Sequence, residues 1–341
     1  MMNNQPVGKF TKVHTEICKG VAIILLLAHH LFYTKAAVPK TFLGRTFWYD
    51  FAILGKVCVP IFLILSGYGI YSSFSAKKRS VVGFYKHVAV NLYARFWPIF
   101  ALSLIPLVCV GGGMKSVWPD VWRFAINFFG VQLLFGEWGY NPTWWFLSLI
   151  IVCYALFPLL WYGVRRFPVE TGLALLALGL GPHHIWQQFI CPFGVGCFMA
   201  AYNVFDQFDK WTRPRKMLLV LGAVILFCVV RLWNVKASGV EAGYAFLGDV
   251  AIAAGLTLIC WYTVNASSLA GKALRLIGVH SMNIFLVHTF IFGIYLRDFS
   301  YSTKYPPLIM LQLLIVSLAL SFAICPIQKL FKALLGKVLR E

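Results

Sequence analysis

Residues 15–34 read TEICKGVAIILLLAHHLFYT, an apolar run with an acid and a lysine near its start and two histidines near its end. An imidazole in such a place can take a proton from a hydroxyl as that hydroxyl attacks an electrophile. It can also accept an acyl group itself and pass it on. On an α-helix, the eleven residues from Lys19 to His30 turn through about 1100°, three turns, so the two share a face about 16 Å apart. Glu16 lies about 40° off the same line, and His29 is rotated by about 100°. Glu16 is about 21 Å along the helix from His30, too far to touch it, and is expected to pair with Lys19 at the helix mouth. If Lys19 marks the interface of a ~30 Å hydrocarbon core, His30 lies near its middle. Ionisable groups at that depth face a bundle interior or a wet cavity. The competing reading, histidines packed with a satisfied hydrogen bond, weighs more for His29 than for His30. No metal site is expected, because adjacent histidines on a helix point apart and share one ion poorly.

The elements that must position these residues follow from composition. Hydrophobic residues make up 60% of the chain and charged residues 12%, against about 25% charged in soluble domains. A chain of 341 residues cannot bury that excess in a soluble core. The apolar runs are continuous rather than alternating, which excludes a transmembrane β-barrel. The expected fold is all-α, a polytopic membrane bundle of about ten helices. The expected spans lie at 17–33, 50–74, 88–110, 142–163, 169–184, 186–205, 216–233, 244–264, 279–297 and 307–331. Segment 117–135 reads as an amphipathic interfacial helix. A single membrane domain over 1–341 is expected, with neither a cleaved signal peptide nor a soluble domain. The net charge of +19 comes from short basic clusters between apolar runs, which argues for inner loops and against nucleic-acid binding. With the N-terminus inside, 20 of the 30 basic residues fall on the inner side. Both termini are therefore expected to be cytosolic.

Several stretches together resemble the integral-membrane acyltransferase-three family. EICKGVAIILLLAHH resembles its first-helix signature through Glu16, Lys19, Gly20 and His30. VPIFLILSGYGIY at 59–71 resembles its second-helix run through Ser66, Gly67 and Tyr68. RFWP at 95–98 resembles the Arg-x-x-Pro of its third helix, and WWFLSLIIVCYALFP at 144–158 its Trp-Phe-Leu helix, here Trp145, Phe146 and Leu147. HSMNIFLVH at 280–288 resembles a late motif, carried by Ser281 and His288. The resemblance covers about 15–325. The arginines that relatives often carry just before the third-helix arginine are replaced by Asn91 and Leu92.

The resemblance implies an O-acyltransferase, most often of acetyl groups, acting from acyl-CoA on a hydroxyl of an envelope or exported glycan or glycolipid. His30, with His29 beside it, is the catalytic candidate, and Glu16 and Lys19 are supporting. Arg95 and Lys86 are candidates for binding acyl-CoA phosphates, because guanidinium and ammonium groups suit phosphate. The rival reading for Arg95 is a snorkelling side chain at the interface. Ser66, Trp145, Ser281 and His288 are candidate pocket residues; an aromatic belt is the alternative for Trp144 and Trp145. Acyl-CoA is expected as a donor substrate, with no permanently bound cofactor. Expected partners are acyl-CoA, the acceptor and membrane lipids, with a homodimer left open and no nucleic acid. The expected location is a bacterial plasma membrane. The competing function is a transporter or flippase for a glycan or lipid-linked intermediate, since mid-membrane histidines suit proton coupling too; no inverted repeat favours it.

Overall fold

A computed structural model describes residues 10–34, 37–39, 43–77, 79–110, 120–180, 187–237 and 243–338. Helices make up nearly all of it, and no strand occurs among the described residues. In a lipid environment each backbone N–H and C=O must find a partner within the segment, so long apolar runs become helices. Six helical stretches are long and apolar enough to cross a membrane: Lys12–Phe32, Gly44–Lys77, Val81–Pro106, Pro142–Arg166, Phe246–Thr263 and Pro306–Lys337. A seventh is available if Leu269–Val279 and Ser281–Tyr295 form one broken span. The expected spans at 169–184 and 186–205 are short apolar helices instead, Pro168–Leu180 and Ile190–Ala201. Gly181 and Pro182, between them in the sequence, lie outside the described residues. The expected helix over 117–135 reduces to Val121–Phe128 and a 3-10 turn at Gln132–Phe135. Gly130 interrupts it with a φ of +71°, and a Cβ there would strike the Leu147 side chain.

The helices are α1 (Lys12–Phe32), α2 (Gly44–Leu54), α3 (Cys58–Lys77), α4 (Val81–Val110) and α5 (Val121–Phe128). After them come α6 (Trp145–Arg166), α7 (Pro168–Leu180), α8 (Ile190–Ala201), α9 (Val204–Asp209) and α10 (Arg213–Ala237). The last five are α11 (Gly243–Thr263), α12 (Leu269–Val279), α13 (Ser281–Thr289), α14 (Arg297–Tyr301) and α15 (Pro306–Val338). They gather into two compact units. The first holds residues up to Tyr33, Tyr49–Lys78 and Phe157–Val279; the second holds Thr34–Trp48, Arg79–Leu156 and the chain from His280 onward.

In the first unit, α1 packs on α12 and α3 on α8. Lipid tails are as apolar as leucine, so close backbone approach, rather than escape from water, holds such helices together. Glycine permits that approach. A Cβ at Gly20 would run into the Leu274 carbonyl, and one at Gly278 into the Glu16 carbonyl. The α3–α8 crossing has the same form: Gly67 lies against the Phe193 carbonyl and Gly196 against that of Ile64.

In the second unit, α15 packs on α4 and α13. Its core is aromatic: Trp144 is fully buried, with its ring 5.0 Å from Phe96 and 5.6 Å from Phe290. The Trp144 indole N–H donates to the Leu286 carbonyl at 3.1 Å. A ring wholly inside protein cannot belong to an aromatic belt at the lipid interface, so that alternative fails for Trp144. It buries because α13 offers its N–H an acceptor.

Candidate active site

Helix α1 begins at Lys12, a turn earlier than the sequence suggests, so Glu16 and Lys19 stand inside the helix. The Thr11 N–H donates to His14 Nδ1 at 3.1 Å, which caps the helix and sets this earlier start. Glu16 is buried. Its ion pairs are with Arg275 of α12, Nε to Oε2 at 2.9 Å, and with Lys12, Nζ to Oε1 at 3.7 Å. The expected Glu16–Lys19 pairing therefore gives way to one between helices. The reason lies in the glycine crossing, which brings the Glu16 turn of α1 against Gly278, one turn from Arg275 on α12.

At the other end of α1, His29 and His30 are both half-buried. Their rings meet edge to face at 5.3 Å. His29 Nδ1 lies 2.9 Å from the Ala52 carbonyl of α2. A carbonyl can only accept, so Nδ1 carries the proton, and in the neutral ring Nε2 keeps its lone pair. A backbone carbonyl orienting an imidazole in this way is the usual arrangement for a histidine held ready to accept a proton. Gly55 gives the room: a Cβ there would strike the Leu25 carbonyl, with the His29 Cβ 3.2 Å away. Ser66 is half-buried on α3 in the same unit.

The second unit carries another histidine pair. His288 is fully buried. Its Nδ1 donates to the Phe285 carbonyl at 2.7 Å, and its Nε2 is 3.4 Å from Thr289 Oγ1. Thr289 meets Thr143 at 3.0 Å, and the Thr143 hydroxyl donates to Asn141 Oδ1 at 2.7 Å. His280, just before α13, accepts at Nδ1 from the Ser321 hydroxyl at 2.7 Å. Asn283 Nδ2 donates to that same Ser321 oxygen at 2.9 Å, which leaves the hydroxyl proton for His280. Asn283 and Gln328 exchange amide bonds at 3.0 and 2.8 Å, and Gln328 Nε2 also donates to the Arg95 carbonyl at 2.9 Å. Ser281 is buried at the start of α13, and Trp145 is half-buried on α6.

Gln328 thus fixes the rotation of α15 against α4. One consequence is a cleft of about 750 Å³ between the two helices. Lys86, His87 and Asn91 line it from α4; Lys329, Lys332 and Lys337 line it from α15. Among the described residues no carboxylate lines it. The structure therefore joins Lys86 to basic residues of the C-terminal helix. Arg95, exposed and one turn past Asn91, is not among the residues lining the cleft. Because α4 starts at Val81, Arg95 lies about four turns in rather than two.

An acyltransferase domain family matches residues 15–325 of the chain. The chain belongs to the acyltransferase-three family. Among curated proteins it is similar to the acyltransferase MdmB of Streptomyces mycarofaciens, 26% identical over 261 residues. That stretch covers 68% of this chain and 61% of the relative, so the chain spans less than two thirds of that protein. No solved structure gives a match. The acyltransferase-three match spans both units, and the residues of the first-helix and late motifs fall on α1 and α13.

Two groups of residues escaped the sequence reading. Arg275 stood in the sequence among inner-loop charges, although a buried acid demands a cation and α12 offers only Lys272 and Arg275. The cleft lysines of α15 count in the sequence only as part of the basic charge on the inner side. Their spacing, with Lys329, Lys332, Ala333, Gly336 and Lys337 at i, i+3, i+4, i+7 and i+8, marks one helix face. What that face meets is not written in the spacing.

Proposed function

We propose that this chain is a membrane O-acyltransferase that moves an acyl group, acetyl in the simplest case, from acyl-CoA to a hydroxyl of an envelope or exported glycan or glycolipid. The observation that carries the reading is the histidine pair of α1, two half-buried imidazoles at the end of an apolar helix, one pinned through Nδ1 on the Ala52 carbonyl. The acceptor hydroxyl attacks the thioester carbonyl and its proton passes to the His30 imidazole. The C–S bond breaks, an ester forms, and the proton leaves with the CoA thiolate as thiol. His29 is a positioning residue, holding the His30 ring from one edge. Glu16 and Lys19 lie too far along the helix to touch the reacting atoms.

The same reading places the chain in a bacterial plasma membrane with both termini in the cytosol. About ten crossings result if α7, α8, α10 and the broken α12–α13 pair are added to the six clear spans. Cysteine probes test this placement: an external reagent should modify Trp138→Cys and miss Ser80→Cys, and the reverse pattern refutes it. For function, the test is to compare ester-linked acyl groups on envelope glycans of cells with and without the chain. Loss of acylation in its absence supports the reading. Unchanged acylation, with an intermediate accumulating on the cytosolic side, favours a flippase.

A further inference from the structure

The cleft between α4 and α15 is built like a receptor for dense negative charge. Four lysines line it from two helices, joined by His87 and by the Asn91 amide. The α15 lysines recur on one face because they follow the helical period, and the Gln328 amide bonds turn that face toward α4. Between the charges stand small residues: Gly83, Ala333 and Gly336. A Cβ at Gly336 would meet nothing within 4 Å, so the floor there is open. The volume of about 750 Å³ falls in the range of about 300–1,000 Å³ that holds a nucleotide-sized ligand.

We propose that this cleft seats the phosphate-bearing nucleotide end of the acyl donor, the 3′,5′-bisphosphorylated adenosine of CoA, with Lys329, Lys332 and Lys337 of α15 as phosphate ligands beside Lys86 of α4. The assignment rests on the acyl-CoA reading above and gives that donor a place. Charge favours a nucleotide over a single phosphate: Lys329, Lys332 and Lys337 bring three ammonium groups to one face of α15, which several negative charges match better than one. The open floor at Gly336, beside the small side chain of Ala333, leaves space for a flat base. The cleft lies at the N-terminal end of α4 and the C-terminal end of α15, both cytosolic in the proposed topology, which is where CoA is found. An anionic phospholipid headgroup shares the phosphate chemistry and is the rival occupant.

The experiment uses the full chain in nanodiscs of zwitterionic lipid. Calorimetry gives the dissociation constants of CoA, 3′-dephospho-CoA and 3′,5′-ADP for three proteins. These are the wild type, the Lys329→Gln/Lys332→Gln double variant, and Ala333→Trp, which fills the floor without removing charge. The double variant should bind CoA and 3′,5′-ADP at least about tenfold more weakly, as expected for losing a charge-assisted contact. It should discriminate less between CoA and its 3′-dephospho form. Its affinity should also fall less steeply with added salt. Ala333→Trp should weaken both nucleotides by a similar factor. Equal dissociation constants across the three proteins overturn the proposal. If those proteins also release CoA from its thioester at equal rates, the transferase reading survives its loss. A wild type that neither binds CoA nor consumes its thioester sinks both. A double variant that loses phosphatidylglycerol in mixed nanodiscs while keeping wild-type affinity for CoA reassigns the cleft to lipid.

Discussion

Two pairs of histidines stand on or at the start of two apolar helices, and the structure treats them differently. His288 is fully enclosed, with one nitrogen on a backbone carbonyl and the other facing a threonine. His280 is drawn into a network of serine, asparagine and glutamine that ties α13 and α15 together. On α1 the pair is half-buried, and its first member is anchored to backbone through Nδ1. The same residue type thus serves two ends. Where every polar atom is matched and water is shut out, an imidazole acts as a bolt between helices. Where the ring is oriented on one side and reachable on the other, it can exchange a proton with something that arrives.

Substitutions can break this contrast or sharpen it. The largest expected effect is at His30: His30→Ala should lower the transfer rate by about 10²- to 10⁴-fold, the usual worth of a positioned proton acceptor, with an unchanged melting profile. A melting temperature that collapses with the rate would make His30 a bolt like His288. Next comes His288→Ala, which should act in the opposite sense. It leaves Thr289 and the Phe285 carbonyl short of a partner in a closed interior, at about 1–3 kcal/mol for the unsatisfied group, read by thermal or denaturant unfolding in detergent. Its rate per folded molecule should stay within about threefold of wild type.

Removing the cation from the α1–α12 ion pair should cost less than removing a fully enclosed partner, since the Arg275 side chain is 51% exposed. Arg275→Gln should destabilise by about 1–2 kcal/mol, and Arg275→Lys should recover part of that. A neutral result at Arg275 would mean that Lys12 alone suffices for Glu16. The smallest effect is expected at His29. His29→Asn can still donate to the Ala52 carbonyl and should stay within about fivefold of wild-type rate, whereas His29→Ala should lose about tenfold. Equal losses in the two variants would show that His29 does more than hold its neighbour.

The helical class was legible because lipid leaves the backbone no alternative, and the six clear spans announce themselves as long apolar runs. The broken elements were not. His280 separates α12 from α13 at the start of the expected 279–297 helix, and nothing in HSMNIFLVH says that Ser321 and Gln328, some forty residues on, supply the bonds that hold the break in place. Within the candidate site, the α1 register could be counted from periodicity alone, since three turns separate Lys19 from His30. The identity of the Glu16 partner could not. It depends on Gly20 and Gly278 letting two backbones meet, and glycines that permit contact look in sequence like glycines that permit nothing. In the α4–α15 cleft, Lys86 was legible as basic charge on α4, while its α15 neighbours depend on the rotation set by one glutamine amide.

The account's central claim is that the chain transfers an acyl group from a CoA thioester to a hydroxyl. The direct measurement is thiol release from acetyl-CoA by the purified chain in lipid, with and without a hydroxyl-bearing glycan, with the acceptor then weighed by mass spectrometry. Acceptor-dependent release of CoA, matched by an acceptor heavier by one acetyl ester, is the predicted result. No release with any acyl-CoA, together with movement of the unmodified glycan across the bilayer of sealed vesicles, would contradict it.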